Sequence, residues 1–351
     1  MKAILVIQDF GPIKNLEIAI NKFNILIGPH ASGKSTISKV LCVIHSFDYN
    51  LSSVADENKR LELFKQFLLY YRIENFYQKS TYWFFEDDTL KFELKGNKIS
   101  ITHKVGLGNT ATQFESYYFP AERIALPMIS ESIFELNLTD SILPKYFLQF
   151  GNDFIKAKRQ QKIFNLPLLD VEFEYNDNKN VVTLRNNKSL LLEETSSAIQ
   201  ANLPLLVILQ YPINIASLFV IEELELNSFP QLQKKMLYYI VEKMKNHRWK
   251  DAYVMLPTHS PYLLSAMNNL LFAAKVARQS SEISIAADKI ISSKSWVNVE
   301  DFSAYYIKEG NTTSIIDVNT GLIHENELDE ISEDLAGEFD ALMELYKPAV
   351  A

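Results

Sequence analysis

Short apolar-rich segments that are typical of β-strands alternate with turns at the start of the chain. These segments are residues 3–8, 16–20 and 23–27. A glycine-containing turn follows the third segment, and apolar residues then recur at helical spacing over residues 35–45. The chain is therefore predicted to open with strands, a loop and a helix.

The middle of the chain mixes helical and strand patterns. Residues 48–115 are expected to form an insertion, with a helix near 57–78 and two strands around 83–94 and 98–104. Further expected elements are a short strand at 117–119 that ends at Pro120, a mostly helical stretch at 130–164 that is broken at Pro144, and a hairpin of strands at 168–175 and 181–185.

From Ser196 onward, helices alternate with strands that are apolar on both faces. Helices are expected from Ser196, over 230–246 and over 260–278, and strands over 218–221 and 253–256. Strands of this kind lie in parallel sheets that helices cover on both faces. The sequence therefore predicts an α/β fold with a mostly parallel central sheet.

Charged residues cluster in three places. The acidic residues of 325–344 predict an amphipathic helix docked on the body, because apolar residues recur among them at helical spacing. These apolar residues are Leu328, Ile331, Leu335, Phe339 and Leu342. The basic clusters at 156–162 and 234–250 are expected to be solvated helix faces, although such clusters also suit contact with a nucleic-acid backbone.

The composition limits the possible classes of protein. The chain has 35 basic and 43 acidic residues, and the net charge of −8 does not favour a nucleic-acid partner. Its only cysteine, Cys42, cannot form an internal disulfide, so a reducing compartment and a cytoplasmic location are expected. Asp9 and Gly11 interrupt the first apolar run, so no signal peptide is expected.

One uncharged stretch, residues 203–221, is long enough to reach across a bilayer. Pro204 and Pro212 argue against a helix exposed to lipid. We expect the end of a buried helix, a turn at Tyr211 and Pro212, and a buried strand. No membrane span is therefore predicted.

The segment GPHASGKS at residues 28–35 fits the phosphate-binding pattern G-x-x-x-x-G-K-[ST], between a predicted strand and a predicted helix. Lys34 would reach the β- and γ-phosphates of a nucleotide, and the Ser35 hydroxyl would ligate Mg²⁺. The residues expected to bind the nucleotide are Gly28, His30, Ala31, Ser32, Gly33, Lys34, Ser35 and Thr36. The sequence therefore predicts a phosphate-binding loop (P-loop).

Two further motifs follow buried strands. Glu222 and Glu223 end one strand, where one acid can hold the Mg²⁺ shell and the next can polarise an attacking water. An acidic helix start that only caps the strand is the alternative. His259 follows the next strand and can hydrogen-bond a γ-phosphate, while Ser260 and Pro261 can begin a helix.

The order of these motifs resembles ABC-type ATPases of the SMC, RecF and OLD kind. More narrowly, it is similar to small bacterial AAA-type ATPases of anti-phage defence systems. The matching segments are the P-loop, YFPAER at 118–123, TSSAIQ at 195–200, IEELE at 221–225, THSPY at 258–262 and ELDEIS at 327–332. Only residues 48–115 lie outside the resemblance, and the paired glutamates with THSPY are its most specific part.

The resemblance implies an ABC-type head with three parts. Residues 1–120 would form a first ATPase lobe, with an antiparallel β portion, the P-loop and the insertion. Residues 121–195 would form a helical lobe plus the hairpin. Residues 196–351 would supply the signature helix, the Walker B strand, the switch histidine and a C-terminal helix.

The resemblance also implies a homodimer that encloses two ATP molecules with Mg²⁺. On this pattern, Ser196 is the signature serine, which closes on the nucleotide held by the partner. Glu222 is the Mg²⁺-side acid, Glu223 the catalytic glutamate and His259 the switch histidine. Gln113 is the expected metal-sensing glutamine.

The chain departs from the family pattern at three positions. Glu222 stands where many relatives have Asp, Leu224 replaces a frequent proline, and Ala198 stands where the signature usually has glycine. A Cβ atom at Ala198 is expected to hinder closure on the phosphate. We therefore expect slow hydrolysis in the absence of a partner.

The expected function is that of an ATP-hydrolysing, dimerising switch that controls a separate effector, a nuclease or toxin, in anti-phage defence. One alternative is a DNA repair or recombination ATPase of the RecF or SMC type. The absence of sustained heptads and the negative net charge count against it. Another alternative is a nucleotide sensor with little turnover, which Ala198 would explain.

Overall fold

The structure of the protein is a computed structural model. It describes residues 2–51, 56–104, 115–129, 143–211, 216–246, 249, 251–324 and 327–345. The predicted metal-sensing Gln113, the turn at Pro212 and residues 130–142 of the predicted helical stretch lie outside the described residues.

The described strands and helices have the following bounds. The strands are β1 (Ala3–Phe10), β2 (Ile13–Ile20), β3 (Phe23–Ile27), β4 (Tyr82–Glu86), β5 (Leu90–Lys95), β6 (Lys98–His103), β7 (Glu115–Phe119), β8 (Ile163–Leu166), β9 (Val171–Asn176), β10 (Lys179–Leu184), β11 (Ser189–Leu191), β12 (Ala216–Ile221), β13 (Tyr253–Pro257), β14 (Phe302–Lys308) and β15 (Asn311–Ser314). The helices are α1 (Lys34–Leu51), α2 (Glu57–Tyr70), α3 (Lys145–Gln160), α4 (Ser197–Gln210), α5 (Pro230–Met244), α6 (Pro261–Ala277), α7 (Ser281–Ile290) and α8 (Glu327–Leu345).

The N-terminal part contains an antiparallel sheet in the order β2-β1-β4-β5-β6. Because β4 pairs directly with β1, the strands of the predicted insertion extend the sheet of the first lobe. The prediction of one strand over 83–94 is wrong. The Asp87 carboxylate accepts hydrogen bonds from the backbone N–H groups of Thr89 and Leu90, both at 2.7 Å, and the chain turns there between β4 and β5.

A second antiparallel sheet, in the order β11-β10-β9-β8, contains the predicted hairpin as β9 and β10. Strand β8 begins at Ile163, so the last two residues of the stretch over 130–164, which is expected to be mostly helical, lie in a strand instead. The expectation of a solvated basic face over 156–162 is wrong at Lys158. Its side chain is fully buried, and its ammonium donates a 2.7 Å hydrogen bond to Asn180.

The central sheet has the order β15-β14-β3-β13-β12-β7. The pairings from β7 to β14 are parallel, and β15 is antiparallel to β14. Every residue of β3 and β13 is buried, as expected for strands that helices cover on both faces. The predicted α/β class, with a mostly parallel central sheet and an N-terminal antiparallel portion, is confirmed.

Helix α8 forms where the acidic amphipathic pattern predicts a helix, but the expectation that it docks on the body is wrong. The side chains of Leu335, Phe339 and Leu342 are 60%, 62% and 65% exposed. The helix carries eight acidic and no basic residues. Its apolar stripe is thus open to solvent along the part whose side chains are described.

The uncharged stretch at 203–221 is divided between α4 and β12, as predicted. Among the residues that the structure describes, no helix combines the length and the apolar character that crossing a bilayer requires.

Candidate nucleotide site

Three neighbouring parallel strands of the central sheet end at one edge. Strand β13 lies between β3 and β12. The P-loop follows β3, Thr258 and His259 follow β13, and Glu222 and Glu223 follow β12. Residues from all three segments line one open cleft of about 580 Å³. The sheet topology thus brings together the motifs that the sequence spaces over 230 residues, which agrees with the expectation that ligands bind at the carboxyl ends of parallel strands.

The P-loop depends on glycine where the backbone comes closest to its neighbours. Gly28 has φ +146°, and a Cβ atom there would lie 2.1 Å from the Ile307 carbonyl oxygen on β14. Gly33 has φ +112°, and helix α1 begins at the next residue. Ala31 has φ +58°, a left-handed conformation that alanine adopts at a cost of roughly 1–2 kcal/mol. The loop conformation is therefore maintained against local strain.

The side chain of Lys34 contacts the backbone of the loop that precedes it. Its ammonium donates 2.8 Å hydrogen bonds to the carbonyl oxygens of Gly28 and Pro29. A lysine ammonium has three donors, so one more is available to a phosphate. Burial lowers the pKa of Lys34 to about 8, although the nearby carboxylate of Glu223 acts to raise it.

If the cleft binds ATP as the sequence predicts, the lowered pKa of Lys34 makes the ATP affinity depend on pH. Phosphates beside Lys34 would raise its pKa on binding, so the protonated form binds ATP better. The contribution of Lys34 to the affinity should be constant below its free-state pKa of about 8. Above it, the affinity should fall by up to about tenfold per pH unit, with uptake of a proton on binding. Calorimetric titrations at neutral and alkaline pH, in two buffers of different ionisation enthalpy, measure both quantities. An affinity that stays constant to alkaline pH would contradict this assignment.

Several polar atoms of the cleft fit a phosphate and a metal ion. The Ser32 hydroxyl and one carboxylate oxygen of Glu222 are buried and have no hydrogen-bond partner among the described residues. Ser35 is exposed and lines the same cleft. An unpaired buried hydroxyl suits a phosphate oxygen, and an unpaired buried carboxylate oxygen suits a cation. Within the described part of the chain, no cluster of three or more acidic, histidine or cysteine side chains could hold a metal ion alone.

The two acids differ in their surroundings. Glu222 is 6% exposed, and its backbone N–H donates to the Phe119 carbonyl oxygen at 3.0 Å. Glu223 has φ +45°, and its backbone N–H donates to the Pro257 carbonyl oxygen at 3.0 Å. Because β7 and β13 flank β12, these two bonds fix the acidic turn to both neighbouring strands.

His259 stacks against His30 of the P-loop, with ring centroids 4.4 Å apart and planes 30° apart. Burial, followed by the positive charge of Lys34 and the effect of His30, lowers the pKa of His259 to about 4. The imidazole is therefore neutral at pH 7 and can offer one N–H donor and one acceptor nitrogen. The backbone N–H of His259 donates a 2.7 Å hydrogen bond to the Glu225 carboxylate.

Two residues of this region have structural roles that the sequence does not predict. Glu225 holds the backbone of His259, and the buried Arg123 bonds the carbonyl oxygens of Glu222 and Glu223. Both belong to the quoted motif segments, but their partners are backbone atoms, which leave no pattern in a sequence. The one available signal is an arginine that follows an apolar strand by four residues.

The predicted signature serine lies apart from the cleft. Ser196 is the N-cap of α4 and is exposed, and it does not line the cleft formed by the P-loop and the acids. Ala198 lies in the first turn of α4. The cleft of one chain therefore contains the predicted phosphate, metal and switch residues, while Ser196 and Ala198 do not line it.

No family model matches the chain, and no curated protein sequence does. Among solved structures, an SMC head domain from Thermotoga maritima is 14% identical, with a TM-score of 0.41 and coverage of 90% of this chain and 97% of its own. An SMC head bound to the C-winged helix domain of ScpA is 10% identical, with a TM-score of 0.44 and coverage of 89% of this chain and 96% of its own. A dimeric ATP-binding cassette bound to ADP and Pi is 9% identical, with a TM-score of 0.36 and coverage of 88% and 98%. At this level of similarity, no role is transferred from these proteins to residues of this chain.

Proposed function

We propose that this chain binds ATP with Mg²⁺, hydrolyses it, and acts as a switch that dimerises around the nucleotide. The observation that carries the proposal is the convergence of the P-loop, Glu222, Glu223 and His259 at one edge of the central sheet. A chance P-loop pattern would not be accompanied by two carboxylates and an imidazole in the same cleft.

The residues of the cleft have distinct tasks in this proposal. Lys34 and the loop N–H groups bind the phosphates, as a positive charge and backbone donors at a helix start do. Ser35 and Glu222 would hold Mg²⁺, which neutralises phosphate charge when bound. Glu223 accepts a proton from the attacking water, and the neutral His259 orients the terminal phosphate by a hydrogen bond.

Purified chain mixed with ATP should release phosphate only when Mg²⁺ is present. Lys34→Ala, which should weaken binding, and Glu223→Gln, which should slow turnover, separate the two steps and serve as controls. A wild-type chain that binds ATP tightly and releases no phosphate would support the nucleotide sensor instead. A chain that binds no ATP would refute the proposal.

Slow basal turnover is part of the proposal, and Ala198→Gly tests it. If the Cβ atom of Ala198 hinders closure of the signature turn, glycine should raise the basal rate of phosphate release. The rate should rise several-fold from a wild-type value well below the usual range of roughly 1–10³ per second. Steady-state phosphate release of both proteins is the measurement, with thermal melting to follow the loss of about 0.5–1 kcal/mol that glycine causes within a helix. An unchanged or lower rate would show that Ala198 does not limit closure.

We further propose that the switch controls a separate effector, a nuclease or toxin, in anti-phage defence. This part rests on the resemblance of the motif segments to defence ATPases. The genes beside this one distinguish the alternatives. An adjacent nuclease or toxin gene supports defence, and neighbours that act in replication or repair support a DNA-maintenance ATPase.

A further inference from the structure

Arg123 is a fully buried arginine whose hydrogen bonds go to backbone carbonyl oxygens. Its Nε atom donates to Ala201 at 3.2 Å. Its Nη1 atom donates to Pro120 at 3.1 Å and to Glu222 at 2.6 Å, and its Nη2 atom donates to Glu223 at 2.6 Å. One rigid guanidinium therefore connects helix α4 to the backbone of both predicted site acids.

The turn that Arg123 holds has a backbone conformation that needs support. Glu223 is left-handed, and its carbonyl oxygen also accepts the Leu226 N–H at 2.8 Å. The planar guanidinium fixes several acceptors at once, which a lysine ammonium at the same place does not reproduce. The position of the Glu223 side chain thus depends on Arg123.

A second buried connection lies beside the first. Asn202, the residue after Ala201 in α4, is fully buried. Its amide donates to the Ser228 hydroxyl at 3.0 Å, and Ser228 in turn donates to the Leu226 carbonyl oxygen at 3.2 Å. Helix α4 is therefore connected to both ends of the turn over residues 222–228. Arg123 makes the connection at residues 222–223, and Asn202 makes it at Ser228.

The same helix begins at the predicted signature residue. Ser196 is the N-cap of α4, five residues before Ala201. In the proposed dimer, Ser196 closes on the nucleotide held by the partner, whereas Glu223 acts on the nucleotide held by its own chain. Helix α4 and Arg123 thus join elements that serve two different nucleotides.

We infer that Arg123, assisted by Asn202, is a positioning residue that couples the two nucleotide sites of the dimer. The inference rests on the proposed function. Closure of Ser196 on one nucleotide shifts α4, and the guanidinium carries the shift to the backbone of Glu223 at the other nucleotide. Hydrolysis should therefore be positively cooperative in ATP, with a Hill coefficient between 1 and 2, the number of sites.

The test compares Arg123→Lys with wild type in the full-length chain. We expect Arg123→Lys to bind ATP within about twofold of wild type, to lose at least about tenfold in turnover, and to hydrolyse ATP with a Hill coefficient near 1. Asn202→Ala should lower the Hill coefficient less strongly, and it replaces Arg123→Lys if that variant does not fold. The measurements are phosphate release against ATP concentration, nucleotide affinity and thermal melting.

Lys158→Met is the matched control, because Lys158 is also a fully buried cation but bonds Asn180 on β10. It should lower the melting temperature and leave the Hill coefficient at the wild-type value. The inference would be overturned if Lys158→Met lost as much cooperativity as Arg123→Lys. It would also be overturned if Arg123→Lys and Asn202→Ala both kept the wild-type Hill coefficient. A non-cooperative wild-type ATPase would also overturn it, with the ATPase proposal intact. A wild-type chain without ATP hydrolysis would overturn the proposed function and this inference with it.

Discussion

Lys34→Ala should lower the affinity for ATP by a factor of about 10 to 10². The ammonium is the cation of the P-loop, and its remaining donor would make a charge-assisted hydrogen bond to the phosphates. One such bond, at roughly 1.5–3 kcal/mol, corresponds to this loss. Titration of a fluorescent ATP analogue against wild type and variant measures the effect directly.

The control for this variant is Lys275→Ala. The Lys275 ammonium also donates to a backbone carbonyl oxygen, that of Thr320, but it lies away from the cleft. The control should bind ATP like wild type. Equal ATP affinity in Lys34→Ala and wild type, with both proteins folded, would remove the phosphate-binding interpretation of residues 28–35.

Glu223→Gln should leave ATP binding intact and lower turnover by about 10²- to 10⁴-fold, the usual contribution of a general base. Glutamine has the same shape and keeps the left-handed turn, but it cannot accept the proton of the attacking water. Because the bound ATP is then not hydrolysed, the closed dimer should accumulate when ATP and Mg²⁺ are present. Phosphate release and light scattering report the two effects separately.

Glu300→Gln is a suitable control, because it removes a carboxylate that pairs with Arg278 on the surface. It should turn over ATP like wild type. Unchanged turnover in Glu223→Gln would contradict the role of this residue. A variant that binds ATP without any increase in mass would contradict the ATP-enclosing dimer and leave the P-loop in place.

Much of the fold could be predicted because local patterns decide it. The strands before the P-loop, before Glu222 and before His259 are each largely apolar, and each ends at polar residues for which the sequence predicts a chemical role. Their assembly into one edge follows from the rule for parallel strands. The metal-sensing Gln113 remains a prediction, because it lies outside the described residues.

Other features depend on contacts between distant residues. No strand is predicted over residues 302–308, where β14 pairs with β3, about 280 residues earlier, and with β15, which follows it directly. The amphipathic pattern of α8 predicts the helix correctly, but a pattern on one element cannot specify what its apolar face contacts. Arg123 and Glu225 bond backbone atoms, so their roles depend on the folded path of the chain.

The exposed acidic helix changes the meaning of the net charge. Helix α8 carries eight acidic and no basic residues, so the rest of the chain holds 35 acidic and 35 basic residues and is neutral. At physiological salt, exposed charges are screened over about 8 Å. The electrostatic repulsion that a polyanion such as DNA meets from this protein is therefore concentrated at one helix, because the rest of the chain carries no net charge.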